Sequence, residues 1–114
     1  MDARDFELNL VLPADARFAE TMRDLASHAA RYAGCRAPDA ETYGAAVEGV
    51  VLDCLTRAPQ DSAVAVIVRR GAGTVEVLIT CEHRFDPAAA GDARIAIGWT
   101  REAGAQMCRV ARDV

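Results

Sequence analysis

The sequence contains no lysine, so all thirteen of its basic residues are arginine. Seventeen acidic residues outweigh them and leave a net charge of −4 at pH 7. A general nucleic-acid-binding domain presents a basic face, and this charge balance argues against one. Two explanations of the arginine bias stay open: a coding bias toward GC-rich codons, and arginine clusters that bind anions.

Long apolar runs are also missing. No segment approaches the ~20 apolar residues that a membrane helix needs, so we expect no membrane contact. Residues 1–5, MDARD, are mostly charged and lead directly into a strand-like segment, which is unlike a signal peptide. We therefore predict a cytoplasmic protein. A length of 114 residues predicts a single domain, residues 1–114, with a modest core.

Cysteine pairs of the kind that hold structural zinc are absent as well. The chain has four cysteines, at positions spaced by 19, 27 and 27 residues: Cys35, Cys54, Cys81 and Cys108. No two of them form a Cys-x-x-Cys motif. In a reducing compartment we expect them to be buried, small apolar side chains. Cys35 and Cys81 lie near predicted element ends, which leaves a redox or metal-binding role open.

The sequence does contain a succession of hydrophobic patterns with the periods of strands and helices. Alternation predicts strands over residues 6–12 and 74–81, and a β-branched apolar run predicts another over residues 62–70. A turn at residues 71–73 joins the strand over 62–70 to the strand over 74–81. Helical spacing predicts helices over residues 14–33, from about 39 to 58 with Asp39 as N-cap, and over about 100–113. In that last helix Ala103, Met107 and Val110 would face inward. Residues 82–92 are predicted as a loop, and residues 93–97 as a strand or the approach to the last helix.

The predicted order of elements is β-α-α-β-β-α. It indicates an α+β fold, a two-layer sandwich in which the helices pack on one face of a mixed β-sheet. The strand over residues 62–70 is apolar on both faces until its arginines, which is typical of a central strand.

Three segments resemble a known family. Residues 46–58, AVEGVVLDCLTRA, are similar to the helix pattern Ala-Val-x-Glu-Ala-x-x-Asn-Ala-x-x-His-Ala, and residues 80–87, TCEHRFDP, to Asp-x-Gly-x-Gly-Phe-Asp-Pro. Residues 10–15 and the helix after them look like the opening of the same family, the GHKL ATPases. Within it the chain resembles the small serine-kinase anti-sigma factors and the histidine-kinase ATPase domain. The family usually adds two strands after its last helix, so the resemblance implies a truncated version of this fold.

The departures from the family pattern fall on the residues that handle nucleotide. The Glu that assists catalysis is replaced by Gly49, and the Asn that holds Mg²⁺ by Asp53. The Asp that reads adenine is replaced by Thr80, and the glycines of that loop by Glu82 and Arg84. The resemblance therefore implies a nucleotide-binding scaffold that has lost ATP binding. Kinase or ATPase activity, catalytic residues and a cofactor are not expected.

A vestigial nucleotide site would consist of Asp53, Thr80 and Arg57, with Asp53 as a possible Mg²⁺ ligand. Carboxylates suit that ion, whereas the alternative for Asp53 is a solvated helix flank. Glu48 is no replacement for the lost Glu, because it lies about 140° from Asp53 around a helix.

The resemblance implies a non-catalytic regulatory module of bacterial signalling, anti-sigma-factor-like, that works by protein–protein contact. Its partners would be a sigma factor or an anti-anti-sigma-like protein, and a homodimer is expected because an open sheet edge favours pairing. Two alternatives stay open. One is a divergent anti-sigma serine kinase that binds Mg·ATP through Asp53 and Thr80. The other is a small-ligand or redox sensor that uses Cys81 and His83.

Overall fold

The computed structural model describes residues 5–87 and 92–114, which form two helices and five strands. In chain order these are β1 (Phe6–Pro13), α1 (Phe18–Tyr32), α2 (Ala37–Arg57), β2 (Ala63–Gly71), β3 (Thr74–Cys81), β4 (Ile95–Glu102) and β5 (Ala105–Asp113). The predicted loop continues through residues 88–91, which lie outside the described residues, as do the first four residues of the predicted N-terminal segment. No helix in the described ranges is both long and apolar enough to cross a membrane.

The strands form one sheet in the order β1-β2-β3-β5-β4, and every neighbouring pair is antiparallel. Both helices pack on one face, so the predicted α+β two-layer sandwich is confirmed. The prediction of a mixed sheet is wrong. Tight hairpins join β2 to β3 and β4 to β5, and a hairpin can only pair its strands antiparallel.

The first five predicted elements are present, and β3 has the predicted bounds. The first helix begins later than predicted, at Phe18. The Asp15 carboxylate accepts a hydrogen bond from the backbone N–H of Arg17 at 3.0 Å and pairs with its guanidinium. This local side-chain contact holds residues 14–17 in a turn and delays the helix.

The second helix begins at Ala37, so Asp39 lies in its first turn and is not the N-cap. Its carboxylate instead contacts Arg94 at 3.4 Å and Arg112 at 3.3 Å. A negative charge suits this end of a helix, and here it also links α2 to the C-terminal hairpin.

The predicted helix over residues 100–113 is wrong, because these residues belong to the β4–β5 hairpin. Its turn contains Ala103 (φ 52°) and Gly104 (φ 81°), the same dipeptide and conformation as Ala72 (φ 53°) and Gly73 (φ 76°) between β2 and β3. Two consecutive residues with positive φ reverse the chain with the twist that paired strands need.

In the C-terminal hairpin, side chains that face the helices alternate with side chains that face away, although some of the same residues also fit a helical spacing. Ile95 and Ile97 on β4, and Cys108 and Val110 on β5, face the helices, whereas Met107 faces away and is exposed. The expectation of a fold truncated by two C-terminal strands depended on the predicted last helix, and it loses its basis together with that helix.

The inner face of the sheet, the one that α1 and α2 cover, is built from small branched side chains. Its fully or almost fully buried members are Val64, Val66, Val68, Val75, Val77, Ile79, Cys108 and Val110. Tyr43 of α2 is completely buried above them, and its hydroxyl donates to the carbonyl of Val110 at 2.7 Å. Burial raises the pKa of Tyr43, so the phenol keeps its proton and this bond ties α2 to β5.

The two helices approach each other closely at Gly44. A Cβ added there would lie 2.8 Å from the carbonyl oxygen of Arg23 and 3.1 Å from the Cβ of Ser27. Neither atom is the end of a flexible side chain, so a larger residue would push α1 away from α2. The same helix carries Gly49, where an added Cβ meets nothing within 4 Å.

We expect Gly44→Ala to destabilise the fold by about 1–3 kcal/mol, because the added methyl overpacks the helix contact. Gly49→Ala is the matched control and should be neutral or stabilising by about 0.5–1 kcal/mol, since alanine favours an open helix position. Urea unfolding of both variants measures the difference. Equal stability of the two would contradict the close helix contact.

Candidate functional site

Thr80, the residue in the position of the family's adenine-reading Asp, points away from the helices. It alternates on β3 with Ile79 and Cys81, which are buried on the inner face. Its cross-strand neighbours Ala65 and Met107 are exposed. Thr80 therefore lies on the opposite side of the sheet from α2, and its role in a nucleotide site stays a prediction without support from its position.

Asp53 and Arg57 lie one turn apart near the end of α2, where Asp53 is half-buried and Arg57 is exposed. Glu48 lies on another side of this helix, because its carboxylate contacts Arg23 of α1 at 3.4 Å. The structure thus brings Asp53 and Arg57 together and keeps Thr80 and Glu48 apart from them. Whether Asp53 holds Mg²⁺ stays a prediction.

The Phe-Asp-Pro segment is fixed to the sheet. The Phe85 ring is buried, and its backbone N–H and carbonyl both bond to the Gln106 amide, at 3.2 Å and 2.6 Å. Gln106 is completely buried on β5. This reciprocal pair satisfies a buried side chain and a loop backbone at once. It sets the path of the chain just after His83.

Cys54, Cys81 and His83 form a cluster where α2 ends against β3. Their ligating atoms all lie within 4.8 Å of one another. The Cys54 Sγ is 3.7 Å from the His83 Nε2, and the Cys81 thiol donates to the carbonyl of His83 at 3.2 Å. The His83 Nε2 also lies 2.8 Å from the carbonyl oxygen of Cys54, one of the last four of α2, which have no helical partner. His83 thus caps this helix end as well.

Burial keeps the thiols of this cluster protonated. It raises the pKa of Cys54, with the neighbouring Cys81 as a second cause, and it raises the pKa of Cys81 itself. Cys108 beside them has its pKa raised to about 11, by burial first and by Cys81 second. A thiol is a poor nucleophile compared with a thiolate, so this arrangement does not favour the predicted redox role of Cys81.

One side of the cluster is open. His83 is half-buried and lines a depression of about 530 Å³, together with Pro59, Ser62, Ala63 and Glu82. The two thiols lie behind His83. The sequence pointed to Cys81 and His83, whereas Cys54 was missed because it lies 27 residues earlier on a helix.

A second surface of interest is the outer face of the sheet, the face turned away from both helices. In the part of the chain that the structure describes, no helix covers it. Val11 is 71% exposed and Met107 44% exposed. Small residues on β4, Ala96 and Gly98, leave a groove of about 420 Å³ beside Met107 and Leu78. An apolar surface of this kind is typical of a contact with another protein.

Four charged side chains on the outer face form one cluster of ion pairs. One oxygen of the Glu76 carboxylate accepts a hydrogen bond from Arg69, and the other accepts one from Arg109. The guanidinium of Arg69 also lies 3.9 Å from the Glu7 carboxylate. Burial opposes the ionisation of Glu76, but the two arginines outweigh it and hold the pKa of Glu76 below its usual range. Two arginines and two glutamates leave this cluster without net charge.

Glu76→Gln should destabilise the fold by about 1–3 kcal/mol at pH 7, because it weakens two charge-assisted hydrogen bonds. The pKa of Glu76 is lower in the folded protein than in the unfolded chain, where it is about 4.3. The stabilisation by this carboxylate is therefore complete above about pH 4.3 and is lost as the pH falls through the folded pKa. The difference from wild type should therefore shrink between pH 5 and pH 2. Glu7→Gln, at a more exposed and longer contact, is the control and should change little. A difference that is constant with pH would contradict the ionised cluster.

Comparison with known proteins gives no family for this chain. No family model matches the sequence, and a search of curated proteins finds no significant match.

Proposed function

We propose that this protein is a non-catalytic regulatory module of bacterial signalling, anti-sigma-factor-like, which works by protein–protein contact and has lost ATP binding. The observation that carries the proposal is the uncovered outer face of the sheet, with an apolar groove beside a charge-neutral cluster. In this role the module would bind a sigma factor or an anti-anti-sigma-like protein in the cytoplasm and influence transcription without touching DNA.

The positions of several side chains support the proposed loss of ATP binding. Thr80 points away from Asp53, so these two residues do not converge on one ligand. Glu82 and Arg84 occupy the positions where the family has glycines, and their side chains take up space that the glycines leave open. The buried face beneath α2 is instead filled by side chains such as Tyr43 and Phe85.

The order of elements is compatible in part with the proposed ancestry. Two helices follow β1, where the sequence resembles the family's opening, whereas the described residues between β3 and the β4–β5 hairpin contain no helix of the kind that precedes the family's last two strands. This correspondence concerns the order of elements alone, and the relationship to the family remains part of the proposal.

The occupant that we propose for the outer face is a second copy of this chain. A two-fold axis through the face would bring like surfaces together, so that apolar side chains meet apolar side chains. The cluster of Glu7, Arg69, Glu76 and Arg109 is neutral, which removes the repulsion that two like-charged patches would create. A dimer formed in this way leaves α1 and α2 free for the regulated partner.

We expect no increase in melting temperature when Mg·ATP or Mg·ADP is added at millimolar concentration. A nucleotide present at about 100 times its Kd would stabilise the fold by about 2.7 kcal/mol, which is a shift of several degrees for a domain of this size. A shift of that size would contradict the proposal. It would favour the alternative of a divergent anti-sigma serine kinase, in which Asp53→Ala should abolish the shift.

Met107→Glu should convert a dimer into a monomer. The substitution buries an unpaired charge in the interface, at a cost of about 3–5 kcal/mol, which weakens association more than about 100-fold. Leu52→Glu is the matched control, since Leu52 is also 44% exposed but lies on α2. Light scattering with size-exclusion chromatography measures the mass of each variant. A wild-type protein that stays monomeric at the highest attainable concentration would contradict the second copy as occupant and leave a different protein as the partner of this face.

A further inference from the structure

We propose that Cys54, Cys81 and His83 form a binding site for one Zn²⁺ ion. This inference does not depend on the proposed function, because the cluster lies at the end of α2 and not on the outer face. Two thiols and an imidazole converge there from a helix, a strand and the segment after that strand.

The ligand chemistry suits this ion. Thiolate sulfur and imidazole nitrogen are the donors that proteins use for Zn²⁺, and a site with two cysteines and one histidine leaves the fourth tetrahedral position for water or another ligand. Magnesium and calcium prefer oxygen donors, so the same cluster should discriminate against them.

The distances are close to those of a loaded site. A tetrahedral Zn²⁺ with bonds of about 2.3 Å to sulfur and about 2.0 Å to nitrogen places those two atoms about 3.5 Å apart. The Cys54 Sγ and His83 Nε2 are separated by 3.7 Å. All three ligating atoms lie within 4.8 Å of one another, so movements of about 1 Å would bring them to the separations of a tetrahedral site.

To bind the ion, His83 must give up its hydrogen bond to the carbonyl of Cys54. Without metal, His83 bonds through Nε2 to the carbonyl of Cys54 at 2.8 Å. Metal binding requires the neutral imidazole with its proton on Nδ1, which frees the Nε2 lone pair and gives up that hydrogen bond. Each thiol loses a proton to the solvent as its sulfur–zinc bond forms, so about two protons are released per ion and no redox change occurs.

The depression in front of His83 provides a route of entry. It is bordered by Glu82 and Ser62 and has a volume of about 530 Å³. Hydrated Zn²⁺ can therefore reach His83 first and the two buried thiols next. A bound ion would join the last turn of α2 to β3 and to the segment that Gln106 fixes, which predicts a higher melting temperature for the loaded protein.

The test titrates reduced, tag-free protein with Zn²⁺ in competition with a chromophoric chelator, and with Co²⁺ as a spectroscopic probe. We expect one ion per chain, thiolate-to-cobalt charge-transfer absorption, tetrahedral Co²⁺ bands and about two protons released. Cys81→Ser and His83→Gln should each weaken Zn²⁺ binding at least tenfold. Cys35→Ser removes a half-buried cysteine outside the cluster and should bind as the wild type does.

His83→Gln also separates metal binding from helix capping. Glutamine keeps an amide N–H that can reach the Cys54 carbonyl, and circular dichroism in the absence of metal checks that the variant is folded. If His83 only caps α2, the variant keeps the affinity of the wild type for Zn²⁺, which would overturn the proposal. A wild-type protein that shows no thiolate-to-cobalt absorption would overturn it as well.

Discussion

The position of α2 across the inner face is the constraint on which the rest of the structure depends. Its first half approaches α1 at Gly44 and bonds to β5 through Tyr43, while its last turn meets Cys81 and His83. A helix of 21 residues is about 31 Å long, so these contacts fix it at both ends. Because α2 is held in this way, one face of the sheet is closed and Cys54 is brought to the cluster.

The two faces of the sheet therefore have different physical roles. The inner face buries valine and isoleucine against the helices and supplies the stability of a small domain. The outer face contributes little to that core, yet it keeps apolar side chains such as Val11 and Met107 exposed beside a neutral charge cluster. Side chains that stabilise little within the chain and face solvent are the ones available for contact with another protein.

Much of the fold could be predicted from the sequence, because β1 and β3 alternate with a period of two, β2 is a β-branched apolar run, and the first two helices have long apolar stripes. The last hairpin was missed because Ala103, Met107 and Val110 also fit a helical spacing. The Ala103-Gly104 dipeptide, which repeats the turn at Ala72-Gly73, was the signal against a helix. The cluster around Cys54 could not be predicted, since only the packing of α2 on β3 brings ligands so distant in sequence together.

The most direct test of the central claim, that the outer face pairs with a second copy of the chain, is hydroxyl-radical footprinting of the wild-type chain over a range of protein concentrations. Met107 should be oxidised readily in dilute solution and become protected as the concentration rises. Tyr32, exposed on α1, serves as the internal reference and should keep its rate, and the buried Met22 should stay protected throughout. A Met107 rate that does not change with concentration, relative to Tyr32, would contradict self-association through this face.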